Sequence, residues 1–489
     1  MIKQYCAKIF TLLLLLTTVL GYQAAYAQRI KDMGIAQQPD SAMRWFKDAK
    51  FGMFIHWGVY AVYGQGEWYL YNKGLKYPDY IKAAYPQNGN YFDANKYDPA
   101  NWVRIARDAG MKYMVLTTRH HDGFALFNSR FPNSITSQQT LDRDLVAEYV
   151  KACRDAGMRI GFYYSVLSWR FPGYFDVNGT GAKPNNFGIT TAAWHKKNAL
   201  LMKEELYEQV KELMTRYGQI DDIWWDGGWL GLQGNDRDAA YFWEPGKYRD
   251  PKNEWAGNYG VSGTDSTAGG RYLGIMGTVR KYQPYILSNA RSGWIGDYAN
   301  EEGYAEIKGP IRKEYWEKCL SLDKNGWGYT KQQKVLSSGE VINYLVNAVI
   351  RNGNLLLNVG PDQHGVIPSG QVAVLKEVGN WLHKAGESIY GTTPGPWDPV
   401  DGQYGFTKKT NEIFVHLLEG YKGNTFILPA VNDRVAACYD LYTKKKLPYT
   451  VNADKTITIR NIERISNQYD TILKIVFNQN MGTKNDGNK

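Results

Sequence analysis

From about residue 45 to residue 390 the chain alternates between amphipathic segments and short, continuous apolar runs. The amphipathic segments place apolar residues at intervals of three and four, which is the helical period, and the apolar runs have the length of buried strands. The pentapeptide RDAGM occurs twice, at 107–111 and 154–158, each time between a helical segment and an apolar run. The pattern predicts repeated strand–helix units, the arrangement of a parallel sheet.

The predicted elements follow one another in a regular order. Helices are predicted at 98–110, 144–157, 194–218, 270–284, 338–353 and 369–391. Strands are predicted at 50–58, 111–124, 158–169, 219–228, 285–294 and 354–361. No Gly-x-Gly-x-x-Gly fingerprint follows a strand, so a dinucleotide-binding domain is not expected. A closed barrel fits these units better than an open doubly wound sheet.

The pattern changes after residue 392, where short alternating strands separated by turns continue to residue 478. Such a run is typical of a small antiparallel domain. The predicted fold is therefore a (β/α)8-like TIM barrel over 28–392, followed by a C-terminal β-sandwich over 393–478. Residues 479–489 lack apolar periodicity and are predicted to form a loose tail.

The first 27 residues have the features of a signal peptide. Two lysines, Lys3 and Lys8, precede the apolar run 9–20, and the small residues Ala25 and Ala27 occupy the cleavage-determining positions. No later segment approaches about 18 consecutive apolar residues, so stable membrane insertion is not expected. We therefore expect export from a bacterial cell, to the periplasm or as a secreted protein.

Composition narrows the function further. The formal charge of +10 is spread along the chain without a basic stripe, so a nucleic-acid partner is not expected. Of the four cysteines one lies in the signal peptide, and the other three are too scattered for a disulfide scaffold or a zinc site. Aromatic residues make up 14% of the chain; tyrosine and tryptophan combine an apolar face with a polar edge, which suits a sugar site as well as a large core.

In a βα barrel the active site lies at the carboxyl ends of the strands. The predicted ends carry His56, Trp57 and Gly58; Arg119, His120, His121 and Asp122; Tyr163, Tyr164 and Ser165; Trp224, Trp225 and Asp226; Asn289, Ala290 and Arg291; and Asn358. A single strand-end histidine is more often a structural hydrogen-bonding residue. Six polar, aromatic-rich ends on one face are harder to explain by core packing.

The residues at these ends exclude several kinds of chemistry. No Gly-x-Ser-x-Gly elbow and no phosphate-binding glycine loop is present. The adjacent residues His120 and His121 are expected to point to opposite faces of a strand, which argues against a shared metal. A site made of His56, one of these two and Asp226 stays open as a weaker alternative. Carboxylates, aromatic rings and hydrogen-bonding groups remain, and these are the groups of glycoside hydrolysis.

The segment IDDIWWDGG (220–228) supplies the candidate nucleophile. Asp222, Trp224 and Asp226 share one face of the predicted strand, and Asp226 comes last, before two glycines that leave room for a ligand. Asp221 and Asp222 lie in the strand body and are expected to be structural. The second carboxylate is expected from the loop 296–307, which offers Asp297, Glu301, Glu302 and Glu306.

Six segments carry a family resemblance. They are 45–69, 113–129, 161–169, 220–228, 315–329 and 354–365. In sequence and order they resemble the α-L-fucosidases of glycoside hydrolase family 29, over about residues 40–395. A departure is Arg119, which stands where a lysine is common.

The resemblance implies a retaining exo-glycosidase that releases terminal α-L-fucosyl residues from fucosylated glycans, with no metal and no cofactor. It implies Asp226 as the nucleophile. The spacing Asp-aromatic-x-x-x-Glu from Asp297 places the acid/base at Glu302, with Glu301 as the alternative. The implied substrate-binding residues are His56, Glu67, Trp68, His120, His121, Tyr164, Trp224 and Arg291.

Three alternatives stay open: an α-L-galactosidase with the same fold, a non-catalytic fucose-binding protein, and a metal-dependent hydrolase. The linkage preference is also open, because loops such as the 229–269 insertion would set it.

Overall fold

Eight parallel strands form the centre of the structure, a computed structural model that describes residues 37–174, 196–227, 274–289, 291, 296–463 and 469–478. The predicted signal peptide, the 229–269 insertion and the predicted tail 479–489 lie outside the described residues. The strands up to residue 359 are β1 (Phe51–Ile55), β2 (Tyr113–Arg119), β3 (Phe124–Ala125), β4 (Ile135–Thr136), β5 (Arg159–Ser165), β6 (Asp222–Asp226), β7 (Leu287–Ser288), β8 (Ala299–Glu302), β9 (Trp316–Ser321) and β10 (Gly353–Val359).

The neighbouring strands follow the order β7-β6-β5-β2-β1-β10-β9-β8, and every pair in this path is parallel. The two end strands also meet: Asn289, just after β7, forms a parallel bridge with Tyr298, just before β8. The backbone N–H of Asp297 donates to the Ser288 carbonyl at 2.7 Å. The strands therefore form a TIM-like barrel, and the predicted fold class is confirmed.

The helices lie between the strands in sequence. They are α1 (Asp40–Ala49), α2 (Tyr69–Asn72), α3 (Tyr77–Tyr80), α4 (Pro99–Asp108), α5 (Ser137–Leu141), α6 (Leu145–Asp155), α7 (Lys196–Arg216), α8 (Gly274–Tyr282), α9 (Ser338–Val349) and α10 (Ser369–Ala385). Short 3₁₀ turns occupy Val59–Val62, Ile81–Ala84, Pro86–Asn88 and Gly386–Ser388. Each of the six predicted helices is present, with shorter bounds.

Two barrel strands, β8 and β9, were not predicted from the sequence. The segment that forms β8 reads Ala-Asn-Glu-Glu, which has no apolar run, and it was expected to be loop; that prediction is wrong. The strand β9 reads Trp-Glu-Lys-Cys-Leu-Ser, in which charged residues interrupt the apolar ones. Neither the β8–β9 connection nor the described part of the β7–β8 connection contains a helix, so the strand–helix alternation fails here.

Helix α1 closes the amino end of the barrel. Its buried residue Phe46 packs against three tyrosines, Tyr113, Tyr298 and Tyr315, with ring centroids 4.5 to 5.8 Å away. Because this end is filled, the carboxyl ends of the strands form the open end of the barrel.

The C-terminal region forms two antiparallel sheets. Its strands are β11 (Thr393–Pro394), β12 (Tyr404–Lys409), β13 (Glu412–Leu417), β14 (Phe426–Leu428), β15 (Val435–Asp440), β16 (Tyr449–Val451), β17 (Ile457–Ile459) and β18 (Thr471–Phe477). The sheet β11-β12-β13-β18-β15 and the sheet β14-β17-β16 share one apolar core. Buried His416 connects this region to the barrel, since it lies 3.1 Å from the hydroxyl of Thr407, which donates to the Ser388 carbonyl at 2.7 Å.

Cys153, Cys319 and Cys438 are buried free thiols. Among the described residues no helix is both long and apolar enough to cross a membrane.

Candidate active site

A pocket opens at the carboxyl ends of the strands. Its lining residues are Phe54, His56, Glu67, Trp68, His120, His121, Tyr163, Trp224, Asp226, Arg291, Glu302 and Trp327. Every site residue expected from the sequence is in this set except Tyr164. A larger cavity of about 810 Å³ lies at the opposite end of the barrel, between α1 and the first residues of β5, β6 and β7. None of the converging strand ends reaches that cavity.

Asp226 is buried at the end of β6, with donors or cations on both carboxylate oxygens. Oδ2 accepts a hydrogen bond from the Tyr163 hydroxyl at 2.7 Å, and Oδ1 accepts one from the Gly227 backbone N–H at 2.7 Å. The Nε of Arg291 lies 3.1 Å from Oδ1, and the Nε2 of His121 lies 3.6 Å from Oδ2. Gly227 has φ +81°, and a side chain there would crowd the Leu167 backbone at 3.0 Å, so the turn after Asp226 requires glycine.

The charge of Asp226 follows from these contacts. Burial opposes ionisation, but Arg291, His121, the Tyr163 hydroxyl and the Gly227 N–H together hold the pKa of Asp226 below its ordinary value. The carboxylate is therefore ionised at neutral pH and fixed in orientation. Those are the two properties that a carboxylate nucleophile needs.

Glu302 lies at the end of β8, where its side chain is 40% exposed at the pocket mouth. The Nη1 of Arg291 donates to Glu302, so one guanidinium contacts both Glu302 and Asp226. Glu301 points away from the pocket, to Lys318 and Arg312. Because adjacent side chains of a strand alternate between its faces, only Glu302 of this pair lines the pocket.

Three histidines lie in the pocket with Asp226, and all are buried. Burial lowers the pKa of His56 to about 3 and that of His121 to about 4, and the pKa of His120 falls well below its ordinary value for the same reason. All three rings are therefore neutral at neutral pH. A neutral imidazole is both a donor and an acceptor, which suits sugar hydroxyls.

The contacts of His56 show which of its ring nitrogens carries the proton. The Nδ1 of His56 lies 2.7 Å from the amide oxygen of Asn358, whose Nδ2 donates to the Trp327 carbonyl. Nδ1 of His56 is therefore the protonated nitrogen, and Nε2 is an acceptor. The Nδ1 of His121 lies 2.7 Å from the hydroxyl of Ser165, and its Nε2 faces the carboxylate of Asp226 at 3.6 Å. The Nδ1 of His120 has no hydrogen-bond partner in the described part of the chain.

The expectation that His120 and His121 point to opposite faces is wrong. β2 ends at Arg119, and its register with β5 shifts between Thr117 and Arg119. Both histidines thus lie beyond the regular strand, where strict alternation no longer applies. Their ring centroids are 4.1 Å apart, and both rings line the pocket.

Glu67 and Trp68 come from the segment between β1 and α2. The Oε2 of buried Glu67 accepts from the backbone N–H groups of Trp327 and Gly328 at 2.9 and 2.8 Å. Burial raises the pKa of Glu67, and these donors offset part of the rise. The ring of Trp68 meets His121 edge-on, with centroids 5.2 Å apart.

The sequence model of the Alpha-L-fucosidase family matches residues 21–387 of this chain. The chain belongs to that family, glycoside hydrolase family 29. The tissue α-L-fucosidase of Bos taurus is 31% identical over 396 residues, which cover 76% of this chain and 74% of that protein. The predicted family resemblance is confirmed, and with it the class of enzyme, a glycoside hydrolase.

Solved structures agree on the fold. α-L-Fucosidase isoenzyme 1 from Paenibacillus thiaminolyticus is 28% identical, with a TM-score of 0.70 and coverage of 90% of this chain and 99% of that one. A family 29 α-L-fucosidase from Bacteroides thetaiotaomicron, a covalent intermediate trapped with 2-fluoro-fucosyl fluoride in a glutamate-to-glutamine mutant, has a TM-score of 0.71. At 23% identity, with coverage of 90% and 97% of the two chains, this second likeness concerns the fold alone.

Tyr164 does not reach the pocket, which corrects the sequence-based assignment. It lies on the outer face of β5, where its hydroxyl donates to Gln209 of α7 at 2.9 Å. Its neighbour Tyr163 faces the barrel interior and pairs with Trp224 across β5 and β6. Because Trp224 shares the strand face of Asp226, this pairing brings Tyr163 to the same side of the sheet.

Two further lining residues, Phe54 and Trp327, were missed. Phe54 lies two residues before His56 and so shares its face of β1, which strand periodicity could have shown. Trp327 comes from the loop after β9, and no periodic signal marks a loop residue that folds back over a barrel.

One group of potential metal ligands is present in the described residues: His120, His121 and Asp226 offer atoms within 4.8 Å of one another. The guanidinium of Arg291 lies 3.1 Å from a carboxylate oxygen of Asp226. A divalent ion on Asp226 would face that fixed positive charge at short range in a buried site, which disfavours its binding.

Removal of metal tests this electrostatic argument. We expect kcat/KM on an aryl α-L-fucoside to stay within about twofold after prolonged dialysis against a strong chelator, because Arg291 already neutralises Asp226. A loss of activity that one divalent ion restores would instead identify a metal-dependent hydrolase.

The adjacent residues Tyr163 and Tyr164 form a matched pair of variants. In Tyr163→Phe the nucleophile loses a hydrogen bond to its charged form, so we expect kcat/KM to fall about 10- to 100-fold. The loss also raises the pKa of Asp226. Since activity disappears as pH falls through that pKa, the acid limb of the kcat/KM profile should move to higher pH.

Tyr164→Phe is the control, because it removes a hydroxyl of similar burial on the opposite face of β5. It should lower the unfolding free energy by about 1 to 3 kcal/mol, through the unsatisfied Gln209, with kcat/KM and its pH profile unchanged. Equal kinetic losses in both variants would contradict the assignment of Tyr163 to the pocket.

Proposed function

We propose that this protein is a retaining exo-α-L-fucosidase that removes terminal fucosyl residues from glycans. The supporting observation is that the ionised, buried Asp226 and the pocket-mouth Glu302 contact one guanidinium, that of Arg291. The two carboxyl groups therefore belong to a single site, as double displacement at a glycosidic bond requires.

The proposed reaction has two steps. Asp226 attacks the anomeric carbon as the bond to the glycosidic oxygen breaks, and protonated Glu302 gives its proton to that oxygen. Glu302 then takes a proton from water, whose oxygen attacks the anomeric carbon and releases Asp226 with net retention of configuration. The trapped covalent intermediate of the Bacteroides thetaiotaomicron enzyme, of the same family, supports this mechanism.

The rest of the pocket supplies sugar recognition in this proposal. His56, His120, His121 and Glu67 offer donors and acceptors to hydroxyls, and Arg291 is held beside the reacting carboxylates. The rings of Phe54, Trp224 and Trp327 form an apolar wall for the C5 methyl group that distinguishes fucose from more polar hexoses.

The features of a signal peptide in the first 27 residues support export of the enzyme to the periplasm or out of the cell, where extracellular glycans are accessible. This localisation is part of the proposal, and fractionation of an expressing bacterial culture would test it.

The nucleophile and the substrate are tested together. We expect measurable turnover of 4-nitrophenyl α-L-fucoside and a loss on the order of 10⁴-fold or more in Asp226→Gly. Treatment with 2-fluoro-fucosyl fluoride should attach one fluorofucosyl group, and peptide mass spectrometry should find it on Asp226. Label on another carboxylate would contradict the assignment.

The same experiment separates the alternatives. An apolar wall rejects an added hydroxyl only modestly, so the matched α-L-galactoside should be slower by about 10- to 100-fold. A faster α-L-galactoside would make this an α-L-galactosidase, and binding of fucose without any turnover would make it a sugar-binding protein.

Substitution of Glu302 and of its neighbour Glu301 should have opposite effects on activity and on stability. In Glu302→Gln the acid/base is lost, so kcat/KM for a substrate with a poor leaving group should fall about 10²- to 10⁴-fold, with thermal stability near that of the wild type. In Glu301→Gln the fully buried Lys318 loses the negative charge that compensates its own, so stability should fall by a few kcal/mol while kcat is retained. The reverse pattern would make Glu301 the acid/base.

A further inference from the structure

Glu317, on β9, is fully buried inside the barrel, below the floor of the pocket and outside its lining. Both carboxylate oxygens are engaged. Oε2 accepts from the Tyr113 hydroxyl at 2.6 Å, and Oε1 accepts from the indole Nε1 of Trp224 at 3.0 Å. The glutamate thus holds the one polar atom of the Trp224 side chain.

Trp224 supports the groups that hold the nucleophile. Its ring lies nearly parallel to that of Tyr163, at 17° and 5.8 Å between centroids, and the guanidinium of Arg291 lies 5.3 Å from its ring centre. Tyr163 and Arg291 both contact the carboxylate of Asp226. A rotation of the indole would therefore displace two of the contacts that keep Asp226 ionised and oriented.

The buried surroundings of Glu317 disfavour the ionised form of its carboxyl group. Burial raises its pKa to about 7, although the bonds from Tyr113 and Trp224 offset part of the rise. Asp222 lies in the same interior, and burial, followed by the charge of Glu317, raises its pKa well above the ordinary value. Glu317 forms no ion pair within the described residues, and a buried carboxyl group without a cation does not serve stability well.

We propose that Glu317 is a positioning residue for fucosyl transfer: it fixes the indole of Trp224, and through it Tyr163 and Arg291, against Asp226. The inference rests on the proposed function, because its readout is the reaction at Asp226. It concerns a residue that touches neither the reacting carboxylates nor the pocket.

A matched pair of variants tests the hydrogen bond itself. Glu317→Gln keeps an acceptor oxygen for Nε1 of Trp224, so kcat/KM should stay within about threefold of the wild type. Glu317→Leu removes the acceptor, so we expect a fall of about 10- to 100-fold, mainly in kcat, since misplacement by about 1 Å costs catalysis on that scale. The acid limb of the profile should also move to higher pH, because Asp226 loses support for its charge.

A double-mutant cycle with Trp224→Phe separates positioning from stability. Phenylalanine has no Nε1, so adding Glu317→Leu to this background should cost less than about threefold in kcat/KM. Titration with 2-fluoro-fucosyl fluoride gives the active fraction, and rates are expressed per active site, so unfolded protein does not contribute. Rescue by glutamine together with this coupling supports the inference.

Two results would overturn it. The first is an equal loss from Glu317→Leu in the wild-type and Trp224→Phe backgrounds. The second is a fall in thermal stability alone, with the rate per active site and the pH profile unchanged. A wild-type protein without turnover would overturn the proposed function and this inference together, whereas an active wild type beside an unaffected Glu317→Leu would overturn the inference alone.

Discussion

Neighbouring side chains of a β-strand point to opposite faces, and in a closed barrel one face is the interior and the other meets the surrounding layer. On β6 this alternation brings Asp222, Trp224 and Asp226 to the interior at successive depths. On β5 it turns the side chain of Tyr163 towards Asp226 and that of Tyr164 towards α7. On β8 it separates Glu302, at the pocket, from Glu301. The site is built by closure of the sheet, which turns one face of each strand towards a common axis.

Burial then determines the charges in the site. Burial lowers the pKa of all three histidines, and the neighbours of His56 and His121 offset only part of that cost, whereas Asp226 keeps its charge because Arg291 and its other contacts more than offset burial. The outcome is a fixed anion surrounded by neutral hydrogen-bonding rings. A sugar brings many hydroxyls and no charge, so this is a distribution suited to binding it beside a reactive carboxylate.

The irregular part of the barrel carries the second carboxylate. Strands β8 and β9 follow β7 without an intervening helix in the described residues, and their sequences lack apolar runs. Interior positions here are polar: Glu302 at the mouth and Glu317 beneath the floor. Polar residues at interior positions interrupt the apolar run by which a strand is predicted from the sequence. The neighbouring strands supply the hydrogen bonds that hold such a strand in place.

The sequence by itself predicted the barrel, the antiparallel C-terminal region and the place of Asp226 at a strand end, because helical and strand periods and the run Trp-Trp-Asp-Gly-Gly are local properties. Most residues that line the pocket were also predicted, since strand ends of a parallel barrel necessarily converge. Only the tertiary structure decided between Tyr163 and Tyr164, showed that His120 and His121 share the pocket, and added Trp327. Those outcomes depend on where a strand stops being regular, which way its faces turn on closure, and which loops fold over the rim, and all three are set by contacts between residues far apart in the chain.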